Sequence, residues 1–362
     1  MPAIFDGHLD LAWNALSWGR DQTLPLDELN RIDAQLQDHP ARGRATTSLP
    51  EMRAAGIRVC QATILCRAKP NLIAPSGHSR MSLDFATQSI AYAAGRGQLA
   101  YYELLETQGE IRFIRTRGDL DAHLASLGEA PGDGYPIGLI LAMEGADPIV
   151  EPEQAEHWWN LGLRSVNLAH YGASRYAVGT GDDGPVTPEG FRLLAEFERL
   201  GMILDATHLS DTSFDQALDA FGGPVLASHN NVRALVPDQR QFSDDQIRKL
   251  FARRAVIGVA LDAWMLAPGW IRGTTNREVV ALDALADHID YYRNIAGHVD
   301  FIAIGSDLDG GFGTEQTPTG LDRIRDLQSL AGILSSRGYS DDEIEAIFHG
   351  NWTRFFREHL PQ

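Results

Sequence analysis

The chain has 362 residues, and its 31 basic and 49 acidic side chains give a net charge of −18. Nucleic-acid grooves and anionic membrane surfaces are bound through clustered lysine and arginine, so this charge argues against either partner. No apolar run reaches about 18 residues, the length that a membrane-spanning helix needs. A hydrophobic content of 44% is enough to form a buried core, which argues against a disordered chain.

The chain ends and the cysteines favour a reducing, cytoplasmic location. The opening segment MPAIFDGHLD turns acidic and polar at once, unlike the basic and apolar regions of a secretory signal. The closing segment REHLPQ offers no hydrophobic tail for a lipid anchor. Cys60 and Cys66 lie in one apolar run and do not form a Cys-x-x-Cys pair, so we expect free, buried thiols.

Short apolar runs, many of them rich in β-branched residues, recur along the chain. Most lack strict alternation of polar and apolar residues, which is typical of parallel strands that are covered on both faces. The eight predicted strands are Ala3–Phe5, Ile57–Leu65, Ile137–Met143, Arg164–Leu168, Met202–Asp205, Val225–Ala227, Ala255–Leu261 and Phe301–Ile304.

Amphipathic helices with recognisable ends are predicted between these strands. One begins at Thr187, with a proline in its first turn, and ends at Gly201. Capping boxes at Ser243–Gln246 and Ser340–Glu343 begin two others. Strands that alternate with helices indicate βαβ units, and eight such units indicate one (β/α)₈ barrel domain over residues 1–362. An open doubly wound sheet fits less well, because no glycine-rich dinucleotide loop follows the first strand.

Two connections are longer than a barrel needs. Residues 11–56 contain three prolines and are predicted to form an irregular excursion above the first strand. Residues 67–136 are predicted to hold two helices, Ser82–Gly97 and Leu99–Gln108, and a short strand, Ile111–Thr116. No Gly/Ser-rich linker separates either connection from the rest, so both belong to the same predicted domain.

Residues of the metal-binding types follow most of the predicted strands. Active sites of (β/α)₈ barrels lie at the carboxyl ends of the strands, and we select candidate His, Asp or Glu residues after six of the eight predicted strands. These residues are His8 and Asp10 after the first strand, Glu144 after the third, His170 after the fourth, His208 after the fifth, His229 after the sixth, and Asp307 and Asp309 after the eighth.

Each of these residues alone has an ordinary structural explanation, but their joint position does not. Four of the 12 histidines gather at one end of the predicted barrel, and structural histidines have no reason to do so. Imidazole and carboxylate are the ligands that Zn²⁺ and similar metals prefer, and the set exceeds the needs of one tetrahedral zinc. It therefore indicates a bridged pair of metals. The other histidines are interpreted as surface or packing residues: His39, His78, His123, His157, His288, His298, His349 and His359.

Six motifs follow one another along the chain: Asp6-Gly7-His8-x-Asp10, Glu144-Gly145, Thr207-His208-x-Ser210, Ser228-His229-Asn230, Arg240 before Phe242-Ser243-Asp244-Asp245-Gln246-Ile247, and Gly305-Ser306-Asp307-Leu308-Asp309-Gly310. In this order they resemble the membrane (renal-type) dipeptidases, which are zinc metallopeptidases of the amidohydrolase superfamily. The resemblance runs from residue 4 to about residue 352.

The resemblance implies a (β/α)₈ barrel that binds two zinc ions and cleaves dipeptides. By this resemblance, His8, Asp10 and Glu144 are ligands of one zinc ion. His208 and His229 are ligands of the second, and Glu144 bridges the two. Iron or manganese in the same ligands stays open, because affinity alone does not select the metal.

The resemblance also assigns roles in substrate binding and catalysis. His170 corresponds to the group that stabilises the tetrahedral oxyanion, and Arg240 to the arginine that holds the substrate's terminal carboxylate. Asp307 corresponds to the aspartate that transfers protons, with Asp309 in support. The nucleophile expected from this resemblance is a hydroxide that bridges the two metals. A homodimer is implied as well.

Two departures from the family pattern leave the substrate open. Glu144-Gly145-Ala146-Asp147 stands where Glu-Gly-Gly is usual, and Leu261-Asp262-Ala263-Trp264 lacks the usual Asn/Tyr-rich signature. The stereochemistry of the C-terminal residue, L or D, cannot be read from these segments. N-acyl amino acids or other small amides are the alternative substrates, and a non-catalytic metal-binding barrel is the alternative to an enzyme.

Overall fold

The computed structural model describes residues 1–69, 83–128 and 134–362. Every strand pair in these residues is parallel, as expected for a sheet covered on both faces. The strands are β1 (Ile4–Leu9), β2 (Ile57–Leu65), β3 (Arg67–Ala68), β4 (Asp84–Phe85), β5 (Ile111–Phe113), β6 (Ile137–Glu144), β7 (Leu163–Asn167), β8 (Ile203–Asp205), β9 (Val225–Leu226), β10 (Ile257–Val259) and β11 (Ile302–Ile304).

Helices connect the strands, and short 3₁₀ or π turns extend several of them. In the described part of the chain, no helix is both long and apolar enough to cross a bilayer. The 3₁₀ turns are Pro152–Gln154, Arg277–Val279 and Ile324–Gln328, and the π turns are Asn14–Trp18 and Ala346–Gly350. The α-helices are α1 (Leu11–Trp13), α2 (Leu26–Asp33), α3 (Leu49–Ala54), α4 (Gln88–Thr107), α5 (Arg117–Leu127), α6 (Ala155–Asn160), α7 (Pro188–Leu200), α8 (Asp211–Ala220), α9 (Asp244–Ala252), α10 (Ala263–Leu266), α11 (Asp283–Ala296), α12 (Ser329–Ser336), α13 (Asp341–Glu345) and α14 (Asn351–His359).

The main sheet forms a parallel half-barrel, which confirms the predicted α/β class. Its strand order is β1-β2-β6-β7-β8-β9, and β5 adds to β6 outside this path. A bridge between Ala227 and Ile257 continues the sheet from β9 towards the β10–β11 pair. After β11, the amide of Asp307 donates a hydrogen bond to the carbonyl of His8 in β1 over 3.3 Å. The described strands thus bring their carboxyl ends to one face.

An aromatic cluster fills the other end of the strands. Phe5 of β1 stacks on Phe356 of α14, with ring centroids 5.3 Å apart, and Trp352 lies beside both rings. The indole of Trp352 donates a hydrogen bond to the carbonyl of Ile304 over 2.8 Å. Buried aliphatic residues of neighbouring strands complete this second core cluster. Packed apolar side chains therefore close the amino-terminal end of the strands, the end that contributes stability in folds of this type.

Two glycines allow the strands near the site to approach closely. A Cβ on Gly258 or on Gly305 would overlap the carbonyl oxygen of Ser228. Glycine at a strand position typically marks such an approach of another backbone. The two residues therefore set how near β9, β10 and the end of β11 lie.

The observed strands match the predicted ones with small shifts at their ends. β2 agrees to the residue, and the predicted thiols Cys60 and Cys66 are buried and free. β1 extends to Leu9 rather than ending at Phe5, so that His8 lies within the strand. The predicted strand Ile111–Thr116 is observed as the shorter β5.

The two helices predicted in the second long connection are wrongly placed, and its second observed helix, α5, was not predicted. One continuous helix, α4, covers most of both predicted segments, and the predicted start at Ser82 lies outside the described residues. Gly95 and Gly97 suggest a break, but a Cβ on Gly95 would be only 3.0 Å from Ile64 of β2. That glycine serves close helix–sheet packing, which the helix tolerates.

The first long connection is more ordered than predicted. Residues 11–56 contain α1, a π turn, α2 and α3 rather than an irregular chain. Among the histidines interpreted as packing residues, His123 contacts the carbonyl of Arg58 and His288 accepts a hydrogen bond from the amide of Val232. His78 lies outside the described residues.

Candidate functional site

The strands bring the predicted metal ligands into one buried group. His8 lies in β1 and Asp10 directly after it, and Glu144 is the last residue of β6. His208 and His229 follow β8 and β9 by a few residues. All five are buried, with exposed fractions of 1% to 4%. The carboxyl ends of parallel strands meet at one face, which explains how residues distant in sequence become neighbours.

Glu144 lies at the centre of this group, and its two oxygens face different partners. Oε1 is 3.0 Å from Nε2 of His208 and 3.4 Å from Nε2 of His229. Oε2 is 3.6 Å from Nε2 of His8, which is in turn 3.7 Å from Oδ1 of Asp10. One carboxylate therefore stands between two sets of donor atoms.

Hydroxyl groups contact Nδ1 of His8, His208 and His229, the ring nitrogen that does not face Glu144. The Nδ1 of His208 is 2.9 Å from the hydroxyl of Thr180. Ser228 places its hydroxyl 2.9 Å from Nδ1 of His229 and 3.3 Å from Nδ1 of His8. Contacts of this kind orient a ligating ring and set which nitrogen carries the proton. Sequence reasoning missed these hydroxyl partners.

The backbone is strained where the chain enters the site. His208, Asp307 and Asp309 have positive φ angles of 69°, 56° and 63°. Such conformations persist in non-glycine residues when the surroundings hold them. Both oxygens of Asp309 are held, because Oδ1 accepts from the amide and hydroxyl of Thr46 and Oδ2 from those of Thr47. These hydrogen bonds hold the carboxylate of Asp309 in place, and its supporting role stays a prediction.

The charges of the group depend on its burial. Burial raises the pKa of the Glu144 carboxyl, although the charge of His8 opposes this shift. Burial disfavours charge on His8 too, but Glu144 and Asp10 outweigh it and raise the pKa of His8 well above its ordinary value. Burial lowers the pKa of His208 and of His229 well below the ordinary range. Neutral imidazoles beside buried carboxylates form a site that favours a cation.

The donor atoms fit metal ions. Three overlapping groups have their ligand atoms within 4.8 Å of one another. Nε2 of His8 is buried and has no hydrogen-bond partner among the described residues, as expected for an atom reserved for a metal. The groups are His8–Glu144–His229, Glu144–His170–His208 and His8–Asp10–Asp307.

A cavity of about 310 Å³ opens beside these residues. His170, Arg240 and Asp307 line it together with Asp10 and Glu144. Arg240 is buried and donates from Nη2 to the carbonyl of His229 over 2.9 Å, while its Nη1 has no partner among the described residues. Burial and the charges of Glu144 and Asp10 raise the pKa of Asp307 well above its ordinary value. Of the sequence-predicted site residues, His208 also lines the cavity, whereas His8 and His229 contact Glu144 without lining it.

Other cavity-lining residues escaped the sequence analysis. Arg67 and Tyr171 line the cavity on one side, and Asp262, Trp264 and Arg272 line it as well. Arg67 comes two residues after the end of β2, and Asp262 comes three residues after β10. Inspection of all strand ends for any polar residue would have found Arg67, and Asp262 directly follows the predicted strand Ala255–Leu261, where the sequence analysis named it without a role.

The fold and the buried imidazole–carboxylate group define the class as an α/β protein with a candidate metal site at the carboxyl ends of its strands. The sequence profile of the membrane dipeptidases (peptidase family M19) matches residues 2–360. The chain belongs to this family.

Similar proteins with names or solved structures support this placement. A dipeptidase of Claviceps purpurea, tcpJ, is 30% identical over 204 residues, which cover 55% of this chain and 45% of that protein. The chain thus matches about half the length of this relative. A family M19 metallopeptidase, dipeptidase AC, shares the fold with a TM-score of 0.79 and 22% identity, over 100% of this chain and 99% of that one. A metallopeptidase of Rhodobacter sphaeroides, solved with a phosphinate mimic of the dipeptide L-Ala-D-Ala, has a TM-score of 0.77 and 22% identity, over 99% of both chains.

Proposed function

We propose that the protein is a zinc-dependent dipeptidase that hydrolyses dipeptides with a free C-terminal carboxylate. The arrangement of Glu144 carries this proposal, because its two oxygens face two separate sets of nitrogen and oxygen donors beside a cavity. At about 310 Å³, that cavity suits a small ligand. Membership of the M19 family and the dipeptide mimic bound to the Rhodobacter sphaeroides relative support the substrate class.

The ligands divide into two sets that share Glu144. His8 and Asp10 would hold one zinc ion, His208 and His229 the other, and Glu144 would contact both. When bound, a pair of zinc ions supplies Lewis acidity and lowers the pKa of water from 15.7 to about 7. The hydroxyls of Thr180 and Ser228 orient the rings for this task.

We also propose that eight of the strands close into a (β/α)₈ barrel. These are β1, β2 and β6 to β11. Two contacts support closure. The Ala227–Ile257 bridge connects β9 with β10, and the hydrogen bond from the amide of Asp307 to the carbonyl of His8 connects the end of β11 with β1. A closed ring would bring all site residues to one rim.

Substrate orientation depends on Arg240 in this proposal. A guanidinium pairs with a carboxylate through two parallel hydrogen bonds, and Nη1 of Arg240 is buried without a partner among the described residues. The terminal carboxylate of a dipeptide would satisfy it. An amide substrate without a carboxylate would leave this buried donor unpaired, at a cost of about 1–3 kcal/mol.

Two further side chains act on the reacting atoms. His170 would donate a hydrogen bond from Nε2 to the oxyanion that develops on the scissile carbonyl. Asp307 would accept a proton from the attacking water and return it to the leaving amine. Its partly buried position, beside the carboxylates of Glu144 and Asp10, raises its pKa and suits a carboxyl group that must hold a proton between the two steps.

A substrate panel tests the proposal. Zinc-loaded protein should hydrolyse L,L- or L,D-dipeptides faster than N-acyl amino acids and faster than dipeptide amides. Arg240→Met should raise KM for free dipeptides by about 10- to 100-fold, since it removes a charged hydrogen-bond pair, and should leave the dipeptide amides unchanged. Preferred hydrolysis of N-acyl amino acids would establish the alternative activity. Absence of hydrolysis with two zinc ions bound would favour a non-catalytic barrel.

The family resemblance also leads us to propose a homodimer. Light scattering on the purified protein should return twice the mass of one chain. A mass of one chain over the tested concentration range would contradict the dimer and leave the catalytic proposal intact.

A further inference from the structure

Arg67 connects the wall of the cavity to His170. It lies in β3, just beyond the end of β2, and its side chain is 14% exposed. Nε and Nη2 donate to the two oxygens of Asp84 in β4, over 2.6 and 2.8 Å. The remaining nitrogen, Nη1, is 3.3 Å from Nδ1 of His170. The ion pair with Asp84 therefore fixes the orientation of the guanidinium, so that its remaining nitrogen, Nη1, points at the imidazole of His170.

This contact decides which nitrogen of His170 carries the proton. A guanidinium is always charged and can only donate hydrogen bonds. Nδ1 of His170 must therefore accept from Arg67, and the proton of the neutral ring must be on Nε2. That nitrogen faces the site, 3.8 Å from Oε1 of Glu144. A protonated ring nitrogen donates a hydrogen bond and has no lone pair for a metal.

The three other imidazoles of the site have different partners at Nδ1. Those of His208, His229 and His8 face the hydroxyls of Thr180 or Ser228, which can accept as well as donate. These rings can carry the proton on Nδ1 and keep the lone pair of Nε2 for a metal. His170 lies in one of the candidate metal groups by distance alone, and its arginine partner separates it from the ligands.

We propose that Arg67 is a positioning residue that holds His170 in the tautomer with hydrogen on Nε2, which makes it a donor to the oxyanion and excludes it from the metal ligands. The catalytic half of this statement rests on the proposed dipeptidase function. The tautomer half rests on the contact between Arg67 and His170 alone, so the two can be tested separately.

Nitrogen NMR tests the tautomer without any substrate. Zinc-loaded enzyme labelled with ¹⁵N-histidine should show a ring with an unprotonated Nδ1 and a protonated Nε2 whose signals disappear in His170→Gln, distinct from those of rings such as His288, whose Nδ1 accepts from the amide of Val232. In Arg67→Met the two signals should move towards each other, because both tautomers become populated. A His170 ring with hydrogen on Nδ1 in the unaltered enzyme, or no change in Arg67→Met, would overturn the proposal.

Kinetics test the consequence for the oxyanion. Arg67→Met should lower kcat by about 10- to 100-fold, the usual effect of losing an orienting partner, with KM and zinc content unchanged. Affinity for a phosphinate dipeptide mimic should fall by the same factor as kcat/KM, because a tetrahedral analogue reports on transition-state binding. Affinity for a product amino acid should not change. Arg67→Lys should restore part of kcat, since an ammonium group also only donates.

Two further variants keep the result specific. Arg53→Met breaks another partly buried arginine–carboxylate pair, with Glu110, near the opposite end of β2, where Arg53 is 11% and Glu110 30% exposed. It should change stability and leave kcat and phosphinate affinity unaltered. In His170→Gln, adding Arg67→Met should cost nothing more, because the two residues act through one contact.

The remaining outcomes are also decisive. Loss of zinc in Arg67→Met, or equal weakening of phosphinate and product binding, would show a merely structural role and overturn the proposal. If the unaltered enzyme hydrolyses no dipeptide, the proposed function fails, and the NMR experiment still decides the tautomer.

Discussion

The two ends of the same strands differ in what their side chains do. β1 contributes Phe5 to the aromatic cluster with Phe356 at one end and His8 to the site at the other. The aromatic end is apolar and packed against α14, whereas the site holds buried carboxylates, unpaired donors and positive φ angles. Strain and buried charge cost free energy, and they persist only where the surrounding structure holds them. The comparison teaches that the packed end stabilises the sheet, whereas the other end has the features of a ligand site.

Two buried aspartates, Asp6 and Asp205, lie between these two ends and fix the position of the site relative to the packed end. Oδ1 of Asp6 accepts hydrogen bonds from the amide of His8 over 3.1 Å and from that of Ser306 over 2.8 Å. Asp205 accepts in the same way from the backbone amides of Thr207 and Ser228, the residues before His208 and His229 in the segments that follow β8 and β9. These buried carboxylates accept hydrogen bonds from backbone amides and thereby fix the conformation of the strand ends. The segments that carry the site histidines are therefore held in place by the packed part of the same strands.

Metal removal should produce the largest difference between the two ends. A chelator should abolish hydrolysis and lower the free energy of unfolding, because Glu144 and Asp10 would lose their counter-charge. Binding at 100 to 1,000 times Kd contributes about 3–4 kcal/mol. Zinc titration, with activity and thermal unfolding followed together, measures both effects. Full activity in chelator-treated protein with no residual metal would contradict the proposed centre.

Asp307→Asn should impair the site and spare the packed end. We expect kcat to fall by about 10²- to 10⁴-fold, the usual contribution of a general acid–base group. Zinc content and melting temperature should stay near those of the unaltered protein, as measured by elemental analysis and calorimetry. Near-normal kcat with both metals bound would show that another group transfers the proton.

Trp352→Ala should have the opposite pattern. It removes a buried indole that packs on Phe5 and Phe356 and donates to the carbonyl of Ile304. A loss of about 3–5 kcal/mol in the free energy of unfolding is expected, from the cavity that is left. Activity per folded molecule should change little at low temperature. A large loss of kcat without loss of stability would show that the two ends are not separable.

Asp262→Asn should give the smallest effect, and one that depends on pH. Burial raises the pKa of the Asp262 carboxyl from 3.8 to about 6. The folded protein therefore binds this proton more tightly than the unfolded chain, and the free energy of unfolding falls as pH rises through this range. The loss reaches about 3 kcal/mol at most above the folded pKa. Urea unfolding at several pH values should show a flatter dependence between pH 4 and 6 in Asp262→Asn, and an identical dependence would contradict this account.

The sequence alone determined the features that depend on near neighbours in the chain. Thr187 caps α7, Gly201 ends it, and capping boxes begin α9 and α13, as predicted. The limits of β2 were predicted to the residue, and the strand-end positions placed the candidate ligands around Glu144. Hydrophobic period and capping act within about four residues, so a sequence shows them directly. The roles of the ligands stay predictions.

Tertiary structure decided what depends on residues that are distant in sequence. The continuity of α4 followed from the packing of Gly95 on β2, which no local pattern reveals. Arg67 meets His170 across 103 positions, and Asp309 meets Thr46 across 263. Hydrogen bonds between such residues exist only once the strands have assembled. The sequence therefore identified the candidate ligands near the strand ends, and only the folded sheet decided which nitrogen or oxygen each of them presents to the site.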